Sequence, residues 1–130
     1  MGKAKMKYYH IWFQTKYRRF LLVEIIDKRI NELFEQIAEE KKIKLLAHGT
    51  LLFHAHILIG IEDIQELSWS IKMFKGISAR KIFQEFPMLK EQFRTNNLWA
   101  KRYAFKEIPE NQLPIVVSYI HRQKDDLYVV

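Results

Sequence analysis

An α+β fold with an antiparallel β-sheet and packed helices is the architecture this sequence predicts, on three observations. Apolar residues alternate along Lys7 to Thr15, with the period of a strand. They recur at helical spacing from about Leu21 to Lys41. The segments run strand, helix, two strands, helix, strand, helix, an order suited to a sheet with helices packed against it.

In the first strand Tyr9, Ile11 and Phe13 share one side and Tyr8, His10 and Trp12 the other, so both faces are expected to be at least partly covered. The first helix sets Ile26, Ile30, Leu33, Phe34 and Ile37 on one face and Glu32, Glu35, Glu39 and Glu40 on the opposite one. Ile43 to Ala47 and Leu51 to Ile61 are two apolar runs, and His48-Gly49-Thr50 between them reads as a hairpin turn. Asp63 with Glu66 three residues on resembles a capping box opening a second helical region, expected to bend near Gly76 and to stop at Pro87. Leu98 to Phe105 is a further strand, and Pro114 fits the first turn of a last helix through Tyr119 and Gln123.

A chain of 130 residues, 48% of them apolar, can bury one core, and no linker or repeat divides it, so residues 1–130 are expected to form one domain. The net charge of +7 favours an anionic partner, nucleic acid or an anionic membrane. With no cysteine, disulfides and thiolate metal sites are excluded. No apolar run approaches the roughly 20 residues that span a bilayer, and Met1 to Met6 lack an apolar leader core, so a cytoplasmic protein without membrane contact is expected.

Two local patterns carry chemistry. His54 and His56, two apart in a strand, point to one face and can grip one cation, although such a pair also fits two histidines satisfied by hydrogen bonds. Tyr119 and Gln123, four apart in a helix, share a face, a spacing that also suits an ordinary core tyrosine with its hydroxyl at the rim. Together, two imidazoles and an amide oxygen would leave coordination positions open on Mg²⁺ or Mn²⁺ for phosphate oxygens and water. A tyrosine oxygen could then displace a sugar oxygen and conserve the phosphodiester in a covalent link. Basic and aromatic residues interleave in Lys16-Tyr17-Arg18-Arg19-Phe20, Lys72-Met73-Phe74-Lys75 and Arg80-Lys81-Ile82-Phe83, where cations can follow phosphates. The plainer reading makes the rings core and the charges a solvated face, and it is preferred for Phe74 and Phe83.

These residues resemble the single-tyrosine HUH transposases of the IS200/IS605 type. Tyr9-His10-Ile11 with Lys16-Tyr17-Arg18-Arg19 is similar to the family's opening strand and its basic exit, and His54-Ala55-His56 to its HUH signature. Phe74 to Arg80 resembles its Lys-Gly-x-Ser-x-Arg segment, Leu98 through Tyr103 its Trp-containing strand, and Tyr119 to Gln123 its catalytic helix, all in order along nearly the whole chain. One departure is that Phe105-Lys106-Glu107 stands where many members have Ser-Val-Gly.

The resemblance implies a ferredoxin- or RRM-like HUH domain in which Tyr119 is the nucleophile forming a 5′-phosphotyrosine, with His54, His56 and Gln123 as metal ligands. It implies cleavage and rejoining of single-stranded DNA at element ends with hairpins, and a homodimer with active sites shared between subunits. Lys16, Arg18, Arg19, Lys75 and Arg80 are the expected DNA-binding cations. Three other readings compete: a nuclease using an activated water, a non-catalytic single-stranded nucleic-acid-binding module, and a domesticated relative that processes repeat hairpins.

Overall fold

A computed structural model describes residues 5–16, 24–51 and 53–128, without the side chains of residues 93 and 123–128. The first elements are strand β1 (Lys7–Thr15), helix α1 (Glu24–Lys41), and strands β2 (Lys44–Leu51) and β3 (His54–Ile61). Helices α2 (Gln65–Glu85) and α3 (Met88–Phe93), strand β4 (Trp99–Ile108) and helix α4 (Leu113–Tyr128) follow, with a 3₁₀ turn, Glu110–Gln112, before α4. The strands form one sheet in the order β2-β3-β1-β4, and every neighbouring pair is antiparallel. The expected α+β architecture and order of elements are therefore present.

The period-two pattern of β1 divides as expected. Tyr9, Ile11 and Phe13 are buried with Ala55, Ile57 and Ile59 of β3 against Ile30, Leu33, Phe34 and Ile37 of α1 and Ile71, Phe74, Ile82 and Phe83 of α2. Phe34 and Phe74 meet edge to face with centroids 5.7 Å apart at the centre of this layer. A separate cluster on the other face joins Ala47, Leu58 and Ile108 to Ile120 of α4, with Tyr8 and Val116 packed on it. Helices thus cover both faces, which is why β3 is buried at every position after His54.

Several expectations need correction. His48, Gly49 and Thr50 are not a turn but lie within β2, paired with Ile57, His56 and Ala55. Their polar atoms are satisfied by α1: His48 Nδ1 is 2.7 Å from Asn31 Oδ1 and its Nε2 2.9 Å from Glu35 Oε1, while Asn31 donates to Thr50 Oγ1 at 2.8 Å. Gly49 is favoured by packing, because a Cβ there would stand 3.0 Å from the Ile120 carbonyl oxygen and fit only if the α4 backbone shifted. Leu51 accordingly belongs to β2 and not to the following strand, and the reversal occurs after it.

The capping box is incomplete, since Asp63 accepts the Gln65 amide at 3.0 Å but the cap of α2 has no side-chain hydrogen bond. Helix α2 is continuous through Gly76, and Pro87 both follows it and caps the short α3, which sequence periodicity did not reveal. Strand β4 continues past Phe105 to Ile108, so Phe105-Lys106-Glu107 pair with Ile11, His10 and Tyr9 and prolong the sheet. Only Pro109 to Gln112 are left to connect it to α4.

Candidate active site

His54 and His56 emerge from the same face of β3, with ring centroids 6.4 Å apart, while Ala55 and Ile57 between and beyond them are fully buried on the other face. Antiparallel register with β1 sets His56 opposite Trp12 and His54 opposite Gln14. Helix α4 covers the Leu58 end of this face. A cavity of about 230 Å³ lies beside His54, lined also by Trp12, Gln14 and Arg102.

The third histidine of the site is His10, which sequence reasoning placed on the right face of β1 but gave no role. Its Nε2 lies 2.9 Å from Nδ1 of His56. Trp12 packs at 5.0 Å from the His10 ring and lies nearly parallel to the His56 ring, at 17° and 6.4 Å. Burial lowers the His10 pKa. His56, 8% exposed, is pushed down to about 4 by burial, with the adjacent His10 and His54 acting in the same direction. His56 is therefore neutral near pH 7 and keeps one ring nitrogen with a lone pair. The alternation of His10 with Tyr8 and Trp12 was a usable signal, but only the pairing of β1 with β3 reveals its partner.

Tyr119 reaches this group from α4, because Gly49 lets the helix backbone approach β2 and Ile120 anchors the adjoining face in the apolar cluster. The Tyr119 ring lies 6.2 Å from both the His10 and the His56 rings, edge-on to each, and the residue is 49% exposed. The structure thus brings together the tyrosine and the histidine pair singled out in the sequence. Gln123 lies one helical turn beyond Tyr119 in α4, and its side chain is outside the described residues. His121 is exposed elsewhere on the helix.

Two imidazoles on one face, that of His56 fixed by a hydrogen bond through its Nδ1, are a donor set that fits a divalent ion such as Mn²⁺ or Mg²⁺. Among the described residues no group of three His, Cys, Asp or Glu side chains is arranged to hold a metal. Gln123 is therefore the third protein ligand to consider, on sequence grounds.

The predicted DNA-binding cations separate into distinct situations. Lys75 is half-buried, and its Nζ donates to the carbonyls of Ala100 at 2.8 Å and Lys101 at 3.1 Å, with burial lowering its pKa. The same ammonium lies 5.7 Å from the Phe13 ring centroid and 5.5 Å from that of Tyr103. Ser78, one turn further, is buried and accepts the Trp99 indole N–H at 2.9 Å. Lys75 and Ser78 thus hold the beginning of β4 against α2. Lys16 follows β1 and its amide donates to the Leu98 carbonyl, Arg80 is exposed on α2, and Arg18 and Arg19, with Tyr17, lie outside the described residues.

The family model described as "Transposase IS200 like" matches residues 3–123. The chain is 29% identical over 117 residues to the ISDra2 transposase TnpA of Deinococcus radiodurans, covering 90% of this chain and 84% of that protein. It is 25% identical over 118 residues to the transposase for insertion sequence element IS200 of Salmonella typhimurium, covering 91% and 78%. A crystal structure described as that of a transposase from Deinococcus radiodurans R1 superposes with a TM-score of 0.76 at 28% identity over 95% of each chain. The structure of a REP-associated tyrosine transposase bound to a REP hairpin shares the fold, with a TM-score of 0.61 at 15% identity over 99% of this chain and 72% of that one.

Proposed function

The chain belongs to the family of IS200-like transposases, and from that premise we propose that it cleaves and rejoins single-stranded DNA at insertion-sequence ends, with Tyr119 as the nucleophile. The observation that supports this most directly is the placing of the Tyr119 ring beside both His10 and His56, on the face that also carries His54.

In the proposed reaction the Tyr119 oxygen attacks the scissile phosphorus as its phenolic proton leaves. The bond from phosphorus to the 3′ oxygen breaks, and that oxygen departs as a hydroxyl after taking up a proton. The product is a 5′-phosphotyrosine, and attack on it by another 3′ hydroxyl restores the tyrosine and a phosphodiester without an external energy source. His54 and His56, with Gln123, would hold a divalent Mg²⁺ or Mn²⁺, whose chemistry is to polarise the phosphate. His10 keeps the His56 ring oriented, and Arg102 and Gln14 line the cavity beside His54 where a nucleotide next to the cleaved bond can lie.

The DNA is proposed to carry hairpins at its ends, a reading supported by the REP-hairpin complex of the related fold. Assembly as a homodimer with shared active sites belongs to the same proposal, as does a cytoplasmic location with association to the nucleoid on DNA binding. No helix among the described residues is long and apolar enough to cross a membrane. Four residues, Pro109 to Gln112, connect β4 to α4, a reach of about 14 Å, so a shared site requires α4 to leave its place on Gly49.

The test is incubation with single-stranded DNA from the flanks of the element and Mg²⁺ or Mn²⁺, followed by denaturing electrophoresis. A covalent protein-DNA band is expected. Cleavage without such a band would favour a water-using nuclease, and binding without cleavage a non-catalytic module.

A further inference from the structure

A second cavity, of about 380 Å³, opens between α2, the Asn96–Leu98 segment and the beginning of β4. Lys16, Lys75, Lys101, Asn96 and Asn97 line it, together with Gly76, and among the described residues no acidic one does. Among the described residues nothing requires glycine at position 76. Its φ is not positive, it stands inside α2, and a Cβ added to it would meet no described atom within 4 Å. A glycine within a helix is less favourable than alanine, so a side chain here would be expected unless something else must come close to the helix backbone.

The position of the cavity indicates what that is. Gln14 pairs with His54, and Lys16 lies two residues further along the same chain, about 7 Å at the rise of a strand. Lys75, through its contacts with Phe13 and Tyr103, marks the α2 side of the sheet. The cavity is therefore at the end of the sheet where His54 stands, but on the opposite face. Arg80 follows Gly76 by four residues, on the same side of α2, and is exposed.

We propose that this cavity binds a flanking phosphodiester of the DNA strand whose cleavage is proposed above, with the sugar-phosphate backbone against Gly76 and the phosphate held by Lys16 and Lys101. The proposal rests on that reading of the site for its ligand. Lys75, committed to two carbonyls, shapes the wall and adds positive potential, while the Asn96 and Asn97 side chains can hydrogen-bond to the strand. Substrate would thus be gripped on both sides of the sheet end, which fixes the register of the scissile bond relative to Tyr119.

The test uses the full chain with Tyr119→Phe, so that binding is read without cleavage, and a single-stranded oligonucleotide from the element flank. Gly76→Leu should retain or raise the melting temperature yet weaken binding tenfold or more, because its side chain fills the cavity. Lys101→Ala should lower the slope of log affinity on log salt by about 0.7, the value for one lost phosphate contact on a single strand. Replacing the phosphates one at a time by neutral methylphosphonates should reveal one flanking position that weakens the Tyr119→Phe protein but not its Lys101→Ala derivative.

If Gly76→Leu and Lys101→Ala bind like their parent with an unchanged salt slope, the cavity proposal is overturned. Covalent adduct formed by the wild type alongside that result would leave the cleavage reading intact. Conversely, binding lost in these variants while the wild type forms no adduct would support the cavity and reject tyrosine cleavage.

Discussion

His10 Nε2 and His56 Nδ1 are 2.9 Å apart, across the β1–β3 pairing. If His56 ligates a metal, its Nε2 must carry the free lone pair, so its Nδ1 must hold the proton and His10 must accept it. His10→Phe, which keeps a ring and removes the acceptor, should weaken Mn²⁺ binding roughly 10- to 100-fold. His10→Asn, able to accept again, should restore part of it. Titration calorimetry of the protein alone measures this without reference to activity. Equal Mn²⁺ affinity in wild type and His10→Phe would remove His10 from the site.

The exposure of Tyr119 separates its chemical role from its structural one. Tyr119 is 49% exposed, so Tyr119→Phe should change stability by no more than about 0.5 kcal/mol. The covalent adduct should nevertheless vanish while DNA affinity persists. Strand cleavage at the wild-type rate by this variant would refute the tyrosine mechanism.

Stability without metal should depend on pH through His56. Its folded pKa is lowered from 6.5 to about 4, so between those values the unfolded chain binds more protons and stability falls with falling pH. Full stability is present above about pH 6.5, and the loss reaches about 3 kcal/mol near pH 4. His10, lowered in the same direction, adds to it. Urea denaturation across this range should show the decline, and His56→Gln should flatten it; an unaltered profile in that variant would assign the decline elsewhere.

Gly49 should be intolerant of larger side chains although it stands in a strand. A Cβ would meet the Ile120 carbonyl oxygen at 3.0 Å and Ile120 Cγ2 at 3.2 Å, so Gly49→Val must displace α4. A destabilisation of roughly 1–3 kcal/mol is expected, with a larger loss of adduct than of Mn²⁺ binding by the histidines. Thermal unfolding combined with the adduct assay checks both.

Within one chain Tyr119 lies beside its own His56, whereas shared sites would join it to the partner's histidines. A mixed dimer of Tyr119→Phe with a His54→Ala, His56→Ala double mutant distinguishes the two. Exchange of α4 should restore part of the adduct, carried by the histidine-deficient subunit, which tagging by length identifies. No recovery after confirmed subunit exchange would assign each site to a single subunit.

Periodicity in the sequence determined the inward faces of β1 and α1. Tyr9, Ile11 and Phe13 are buried because alternation leaves a strand no other way to hide them, and Ile30, Leu33 and Phe34 because a helical stripe must face a core. The pairing of His54 with His56 was likewise legible, since residues two apart in a strand share a face irrespective of tertiary context. His48-Gly49-Thr50 reads as a turn in the sequence because its polar and glycine residues carry a turn's local chemistry. Their actual partners, Asn31, Glu35 and the backbone of Ile120, come from helices remote in sequence. His10 had no assigned role for the same reason: a strand's own pattern tells which face a residue takes, but not which strand lies beside it. Only the order β2-β3-β1-β4 sets His10 against His56, and only the docking of α4 on Gly49 brings Tyr119 to both, because long-range packing is decided by the fit of whole surfaces.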